Sequence, residues 1–512
     1  MTSPVTGALT AWQVAAMVAI AAGVVARFAA RSHLWLDEVL SVNISRLPLG
    51  QIPSALRHDG APPLYYFLLH GWMDVLGTGT IAVRALSGLF AVAALPLVWV
   101  AGRGVSTRHA PGTRVAGAAL LLLASSPFAV RYATEARMYS MLVVLALVGW
   151  LTYTRLIERF SWPPAVILAV TTGLALLTHY WSFYLLAVAA AAALRRARRG
   201  PQAAEAKKVL ATLSAGCLLF LPWVPWFLYQ LRHTGTPWAG GPTVRAFFDT
   251  VFAFTGGFWG PGFIFGLLGW VLIALALFGR PIDGRRIELD LRTRPEARRL
   301  AVAGLGTLLV AVVVGDLTRS AFAVRYTAVL FPFVVLLMAQ GTTVLADSRL
   351  FHRVLALASI LGLVAIVPNV VGERTTAARV ARLLAANARP GDVVAYCPDQ
   401  VAPAVHRVLG DRGLIEVTFP DGGRPDRVDW VDYADRNHAA RTAPFTQQLL
   451  DRAGPTHDIW LVWSPGYKTF GSKCTLVGDR LQLARPNMTR LLKITDRYFE
   501  HPGLVRFRPQ GP

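Results

Sequence analysis

Long apolar runs recur along most of this 512-residue chain, and they constrain its fold more than any other feature. Hydrophobic residues make up 54% of the chain and charged residues 16%, with a mean hydropathy of +0.46. A soluble protein cannot bury so much apolar surface, so this composition predicts a polytopic α-helical membrane protein. The predicted spanning helices are eleven runs: 11–30, 82–102, 115–130, 138–154, 164–178, 181–194, 209–229, 261–279, 301–315, 324–340 and 354–370.

The basic residues occupy short clusters between the apolar runs, and this placement decides how the net charge of +22 is interpreted. A nucleic-acid-binding protein would gather such charge on one face or in one domain, so no nucleic acid partner is expected. Twenty Lys and Arg lie in the loops that eleven crossings place on one side, against nine in the opposite loops before residue 371. The positive-inside rule therefore predicts a multi-pass plasma-membrane protein with a cytoplasmic N-terminus and an outer C-terminus. The first run has no basic segment before it and no cleavage site, so it is expected to be retained as a helix.

The chain changes character at about residue 371, where hydropathy falls and the apolar stretches shorten to strand length. Four stretches are predicted strands: Val393–Tyr396, Ile415–Phe419, Ile459–Trp463 and Leu504–Phe507. Helical patterns cover Thr375–Ala388, Pro403–Leu409 and Tyr433–Leu450. Alternation of strands and helices is typical of a small α/β domain with a partly parallel sheet. The predicted domains are therefore a membrane domain over residues 1–370 and an extracytoplasmic α/β domain over residues 371–512.

Three cysteines, Cys217, Cys397 and Cys474, exclude a disulfide-rich scaffold and show no zinc-ligand spacing. Cys397 ends the first predicted strand of the α/β domain, and Cys474 follows the third. If those strands are neighbours, a disulfide is geometrically possible, and an oxidising outer compartment would permit it. Two unpaired cysteines fit the sequence nearly as well.

The segment from Arg31 to Tyr66 interrupts two apolar runs and carries Asp37, Glu38, His58 and Asp59. Ionisable groups at a membrane boundary are costly to hold there, so they indicate a functional site. The alternative is that these acids only cap short helices at the interface.

Other predicted outer loops combine arginines, acids and aromatic residues. They contain Glu135, Arg137 and Tyr139, then His179, and finally Arg325 and Tyr326. A guanidinium grips phosphate with two parallel hydrogen bonds, so Arg137 and Arg325 are candidates for binding an anionic group. Three alternatives stay open: the arginines reach lipid headgroups, Glu135 pairs with Arg131 or Arg137, and the histidines are structural.

An enzyme on the outer face has no ATP or nucleotide sugar, so a group-transfer reaction there needs an activated donor from the membrane. A lipid-linked phosphate is the natural choice. Asp37 would then act as general base on an acceptor hydroxyl, while Arg137 or Arg325 neutralises the leaving phosphate. One base and a good leaving group predict a single displacement with inversion at the sugar carbon.

Five short motifs carry a resemblance to a known family. They are LWLDE at 34–38, HDGAPPLYY at 58–66, EARMYS at 135–140, THYWSF at 178–183 and RYTAVLFP at 325–332. Their order and spacing resemble the GT-C superfamily of integral-membrane glycosyltransferases, most closely the family 39-like branch that contains protein O-mannosyltransferases and lipid A aminoarabinose transferases. The similarity covers roughly residues 10–370.

The resemblance implies that Asp37 is the catalytic base and that Glu38 completes an acidic pair. It also implies that Asp59 lies near the sugar or acceptor and that Arg137 binds the donor phosphate. The donor it implies is a polyprenyl-phosphate sugar, with mannose the favoured sugar. The predicted substrate-binding residues are Glu38, His58, Asp59, Glu135, Arg137, Tyr139, His179, Arg325 and Tyr326.

No cofactor is expected, and no metal ligand is predicted; a divalent ion is possible but not expected to be required. The predicted partners are the polyprenyl-phosphate sugar donor, the lipid bilayer and an acceptor that is a glycan, a glycolipid or a protein. Two rival interpretations remain: a transporter or flippase of lipid-linked glycans, and an inactive relative that binds glycans. A transporter often shows two similar halves, and no such duplication is visible in this sequence.

Overall fold

The computed structural model describes residues 10–105, 111–235, 240–282, 286–318, 320, 322–495 and 498–509. Arg108, Arg285 and Arg319, which the charge-bias prediction used, lie outside the described residues. The chain forms two compact units. Unit 1 comprises Met1–Ala30, Arg84–Trp223 and Gly241–Val371, and unit 2 comprises Arg31–Val83, Val224–Gly240 and Gly372–Pro512. Unit 2 therefore includes two segments that lie before residue 370, in addition to the predicted α/β domain.

Unit 1 is a bundle of apolar helices with one short hairpin of strands β1 (Gly279–Pro281) and β2 (Ile287–Leu289). Its α-helices are Ala11–Ala26, most of Thr80–Gly104, Gly112–Ala124, Pro127–Ala133, Tyr139–Glu158, Trp162–Leu176, Ser182–Arg199, Ala203–Leu218, Val244–Phe254, Gly260–Phe278, Pro295–Ala301, Thr307–Thr318, Phe331–Thr342 and Ser348–Val371. A π-helical turn, Val302–Gly306, joins two of them, so that Pro295–Thr318 is continuous. Short 3-10 turns occupy Leu221–Trp223 and Val324–Val329.

Length and composition identify fewer spanning helices than the eleven predicted. Within the described part of the chain, five helices are long and apolar enough to cross a membrane: Thr80–Gly104, Tyr139–Glu158, Gly260–Phe278, Pro295–Thr318 and Ser348–Val371. Two bent pairs raise this number to seven if each pair is one span. Shorter apolar helices cover Ala11–Ala26, Trp162–Leu176 and Phe331–Thr342, where three more spans were predicted.

The predicted helix over 115–130 is instead two helices that meet at an angle of 55°. Pro127 occupies the first turn of the second helix, and the Ser126 hydroxyl accepts a hydrogen bond from the Ala129 backbone N–H (3.2 Å). A proline at this position and a serine N-cap together favour a new helix start. The hydrophobic periodicity of residues 115–130 does not change at this break, so the sequence did not predict it.

Unit 2 contains the helices Leu36–Ser45, Ile52–Asp59, Leu64–Leu76, Val224–His233, Ala377–Asn387, Ala402–Leu409, Tyr433–Ala439, Thr442–Ala453 and Lys473–Ala484, with 3-10 turns at Leu49–Gln51 and Asp399–Val401. Its sheet has five strands: β3 (Val393–Cys397), β4 (Ile415–Thr418), β5 (Ile459–Trp463), β6 (Met488–Leu492) and β7 (Gly503–Phe507). Their order is β4-β3-β5-β7-β6. The first three strands are parallel, and β7 and β6 join antiparallel, so the predicted partly parallel sheet is correct.

Two details of unit 2 differ from the sequence-based expectation. Strand β6 was not predicted, because an exposed edge strand with Thr489 and Arg490 lacks the apolar alternation of its neighbours. The predicted helix Tyr433–Leu450 is broken at Ala440 and Arg441, which adopt extended backbone conformations between two shorter helices.

The start of the acidic segment from Arg31 to Tyr66 packs into the core of the α/β region. Trp35, Leu36 and Leu40 belong to one buried hydrophobic cluster with residues of strands β3, β4, β5 and β7. Cys397 and Cys474 form a disulfide within this cluster, with their Cα atoms 5.4 Å apart. The start of helix Leu36–Ser45 is therefore held by apolar packing against a sheet more than 350 residues away in sequence.

Candidate functional site

Asp37 and Glu38 occupy the first turn of helix Leu36–Ser45, where negative charge is favourable to the helix dipole. Glu38 is fully buried, and its carboxylate accepts a hydrogen bond from the Trp35 backbone N–H (3.4 Å). Asp37 is only partly buried, and its backbone carbonyl accepts a hydrogen bond from Ser41. Glu38 thus acts as a helix cap, while Asp37 is the member of the pair that stays partly exposed to solvent.

Sequence reasoning did not single out Glu500, which lies just before strand β7 and is 3% exposed. Its backbone N–H donates to the Arg374 carbonyl (2.9 Å), and its carbonyl accepts from the Thr376 N–H (3.0 Å). The neighbouring Phe499 ring packs edge-on against Trp35, with 4.8 Å between ring centroids. These contacts hold Glu500 beside the start of the helix that carries the acidic pair.

Burial raises the pKa of Glu500 to about 8, and the charge of Asp37 adds to this rise. The Thr375 side chain and the Leu36 backbone oppose the rise only in part. Neither carboxylate oxygen has a partner with full hydrogen-bond geometry among the described residues. Asp37 therefore shares its surroundings with a second carboxyl group that keeps its proton near neutral pH. No sequence signal marks this pair, since the two acids are 463 positions apart.

His58 and Asp59 end the helix Ile52–Asp59 and have separate contacts. The His58 Nδ1 lies 3.0 Å from a carboxylate oxygen of Asp429, and the His58 carbonyl accepts a hydrogen bond from the Trp430 N–H (2.9 Å). Asp59 accepts a hydrogen bond from the Tyr66 hydroxyl (2.8 Å). The contacts of His58 match the structural alternative, whereas Asp59 lies within the polar first loop as the sequence suggested.

The remaining candidates form a second group, in unit 1, where aromatic rings pack around His179. The His179 ring centroid lies 4.9 Å from that of Tyr326 and 6.0 Å from that of Tyr139. The Arg325 guanidinium lies over the Tyr326 ring at 5.6 Å. These residues come from three separate loops of the sequence, and the structure brings them together. We call Arg137, Tyr139, His179, Arg325 and Tyr326 the His179 cluster.

The electrostatics of the His179 cluster favour an anion. His179 lies in the turn between helices Trp162–Leu176 and Ser182–Arg199, where desolvation and the charges of Arg137 and Arg325 lower its pKa to about 3. The Trp181 backbone N–H donates to the His179 Nδ1 (3.1 Å), which places the proton of the neutral ring on Nε2. The cluster therefore combines the positive charges of Arg137 and Arg325 with the Nε2–H donor of a neutral His179.

Glu135 forms an ion pair with Arg131. It is almost fully buried, and a carboxylate oxygen lies 3.1 Å from the Arg131 guanidinium one helical turn earlier. The backbone at Arg137 is held by the Ser87 hydroxyl, which donates to the Arg137 carbonyl (2.9 Å). The contact between Glu135 and Arg131 therefore matches the ion-pair alternative. The hydrogen bond from Ser87 fixes the position of the Arg137 backbone.

The predicted residues thus lie in two groups, with Asp37, Glu38, His58 and Asp59 in unit 2 and the other six in unit 1. Within the described ranges, no group of three or more His, Cys, Asp or Glu side chains is arranged to hold a metal ion.

Comparison with known proteins gives a fold but no close relative. No family model and no curated protein matches this sequence. Among solved structures, ArnT from Cupriavidus metallidurans matches in the apo state with a TM-score of 0.60 and 14% identity, over 97% of this chain and 98% of ArnT. ArnT bound to undecaprenyl phosphate matches with a TM-score of 0.59 and 15% identity, over 98% of each chain. The chain shares its fold with ArnT.

A third solved structure extends this comparison. The arabinofuranosyltransferase AftD from mycobacteria matches with a TM-score of 0.53 and 15% identity, over 99% of this chain and 40% of AftD. The predicted fold class, a polytopic helical membrane protein with a small C-terminal α/β region, is confirmed. At these identities the likeness concerns the fold, so the roles of individual residues depend on their own geometry.

Proposed function

We propose that this protein is a glycosyltransferase that moves a sugar from a polyprenyl-phosphate carrier to an acceptor hydroxyl at the outer membrane face. The observation that carries the proposal is the His179 cluster, in which the positive charges of two arginines act on a neutral imidazole packed among aromatic rings. Guanidinium groups and N–H donors bind phosphate oxygens, and the negative charge that develops on a departing phosphate strengthens those contacts. ArnT, which shares the fold, has been solved with undecaprenyl phosphate bound.

In the proposed reaction the acceptor hydroxyl attacks the anomeric carbon of the donor. Asp37 accepts the hydroxyl proton as the new carbon–oxygen bond forms. The bond from the anomeric carbon to the phosphate oxygen breaks, and its electron pair stays on the phosphate, which Arg137 and Arg325 neutralise. One displacement inverts the configuration at the sugar carbon. Asp37 suits this role because it is the reachable acid of the helix start, whereas Glu38 is buried in a cap.

Mannose is the first sugar to test, because the resemblance of the sequence motifs favours it. AftD is an arabinofuranosyltransferase, so arabinose belongs in the same panel of donors. The acceptor class is left open as a glycan, a glycolipid or a protein. The rival transporter interpretation predicts no covalent product with any of these donors.

The test is a transfer assay with full-length protein, undecaprenyl-phosphate donors labelled in mannose, arabinose or glucose, and an envelope extract as acceptor. Wild-type protein should give a labelled product, and Asp37→Asn should lower its rate by at least a hundredfold, since general-base catalysis contributes about 10²–10⁴. The matched control is Asp74→Asn, which removes a 69%-exposed carboxylate from the same unit and should keep full activity. Equal rates for Asp37→Asn and wild type would disprove the base assignment. The absence of labelled product with every donor would contradict the proposed glycosyltransferase activity.

A further inference from the structure

A long cavity in unit 1 is not explained by the proposed reaction. It has a volume of about 520 Å³ and is lined by apolar side chains of helices Tyr139–Glu158, Trp162–Leu176 and Ser182–Arg199, with contributions from Pro295–Thr318. One end lies at Ala175 and Ser182, beside the turn that carries His179. The wall then follows helix Ser182–Arg199 to Arg196, which at 1.5 Å per residue is about 21 Å. The cavity is thus longer than the roughly 15 Å depth of one leaflet's hydrocarbon.

The other end of the cavity is strongly basic. Arg195 and Arg196 line it from one helix, and Arg298 and Arg299 line it from another. Glu158 lies 3.5 Å from Arg299 and neutralises part of this charge, which leaves an excess of three positive charges. The Tyr153 hydroxyl, which also lines the cavity, donates to the Ala189 carbonyl (3.1 Å) and lies beside Arg196.

An apolar channel that ends in several arginines matches an amphiphile with an acyl chain and an anionic head. We propose that this cavity binds an anionic phospholipid, with an acyl chain along the apolar wall and its phosphate among Arg195, Arg196, Arg298 and Arg299. Basic pockets between membrane helices bind anionic headgroups in this way. The tail of the donor is a different occupant, but a polyprenyl chain carries no charge at its far end and would not neutralise the excess positive charge there.

The proposal is tested by native mass spectrometry of the full-length protein in a neutral detergent, titrated with dioleoyl phosphatidylglycerol or dioleoyl phosphatidylcholine. The dissociation constant of the first bound lipid is the readout. Wild-type protein should prefer phosphatidylglycerol. The variant Arg195→Gln/Arg196→Gln should bind phosphatidylglycerol about thirtyfold more weakly, at roughly fivefold per arginine, and phosphatidylcholine unchanged.

The chain provides a close control for charge. Arg198→Gln/Arg199→Gln removes the same charge from the same helix, but these arginines do not line the cavity, and its effect should be less than threefold. Equal weakening by the two double variants would overturn the proposal, because it would show a diffuse attraction to the basic surface.

A second pair of variants tests the apolar channel without changing charge. Ala192→Trp fills the cavity wall and should weaken binding of both lipids, whereas Ala187→Trp, on the exposed side of the same helix, should weaken neither. Unchanged phosphatidylglycerol binding in Ala192→Trp would refute the cavity as the site. One-for-one displacement of phosphatidylglycerol by undecaprenyl phosphate would also overturn the proposal, because it would assign the cavity to the donor tail.

Discussion

Replacing Glu500 with Gln should stabilise unit 2 at neutral and alkaline pH. The Glu500 carboxyl is 3% exposed, has a folded pKa of about 8 against an ordinary value of 4.5, and lies beside the charge of Asp37. Because its pKa is raised by folding, the folded protein holds the Glu500 proton between pH 4.5 and 8 while the unfolded chain releases it. The stabilisation is therefore complete below pH 4.5 and is lost as the pH rises towards 8.

The size of this loss follows from the pKa difference. A shift of about 3.5 units corresponds to roughly 5 kcal/mol over the full range, and about 4 kcal/mol of this is lost by pH 7.5. These figures are upper limits, since the surrounding loop relaxes when the carboxylate forms. Gln keeps the shape of the protonated side chain and never ionises, so Glu500→Gln should avoid the loss. For a unit of roughly 210 residues, even 2 kcal/mol raises the melting temperature by about 4–8 °C.

The measurement is thermal unfolding of the full-length protein in detergent, followed by tryptophan fluorescence from pH 5 to 8.5. The wild-type melting temperature should fall relative to that of Glu500→Gln as the pH rises, with the largest gap near pH 8. Burial also raises the pKa of Asp399 to about 7, so the melting temperatures of both proteins share a pH dependence from this residue. Only the difference between the two melting temperatures therefore reports on Glu500. Asp451→Asn, an exposed carboxylate in the same unit, should follow wild type. If Glu500→Gln also follows wild type at every pH, the buried, protonated state inferred for Glu500 is wrong.

Two further predictions concern the donor site and the disulfide. Arg137→Ala should weaken undecaprenyl phosphate binding about ten- to a hundredfold, because a hydrogen bond to a charged group is worth roughly 1.5–3 kcal/mol. The control is Arg245→Ala, which removes a 78%-exposed arginine and should leave binding unchanged. Equal losses of affinity in the two variants would contradict the His179 cluster as the phosphate site. Cys397→Ser/Cys474→Ser should destabilise unit 2 by about 4 kcal/mol, since the disulfide closes a loop with a sequence separation of 77, and thermal unfolding should show the drop. A reducing agent should lower the melting temperature of wild type and leave the melting temperature of the variant unchanged. An unchanged melting temperature of reduced wild type would refute the predicted stabilisation by the disulfide.

Local patterns in the sequence predicted much of this architecture. Apolar runs correspond to the helices of unit 1, and four strand-length stretches correspond to β3, β4, β5 and β7 within a residue or two. The loops that supply the His179 cluster were also recognised, because charged and aromatic residues stand out between apolar runs. The same signals failed at Pro127, where two helices replace one, and at strand β6, whose exposed side chains carry no apolar alternation.

What the sequence determined by itself is the membrane character, the α/β composition after residue 371 and the identity of the polar loops, since each follows from residues close together in the chain. Only the tertiary structure decided that the Asp37 loop shares a core with the distant sheet and that Glu500 lies beside Asp37. It also decided that Glu38 caps a helix while Asp37 stays accessible. Side-chain periodicity records which face of an element is buried, but it does not record which distant element covers that face.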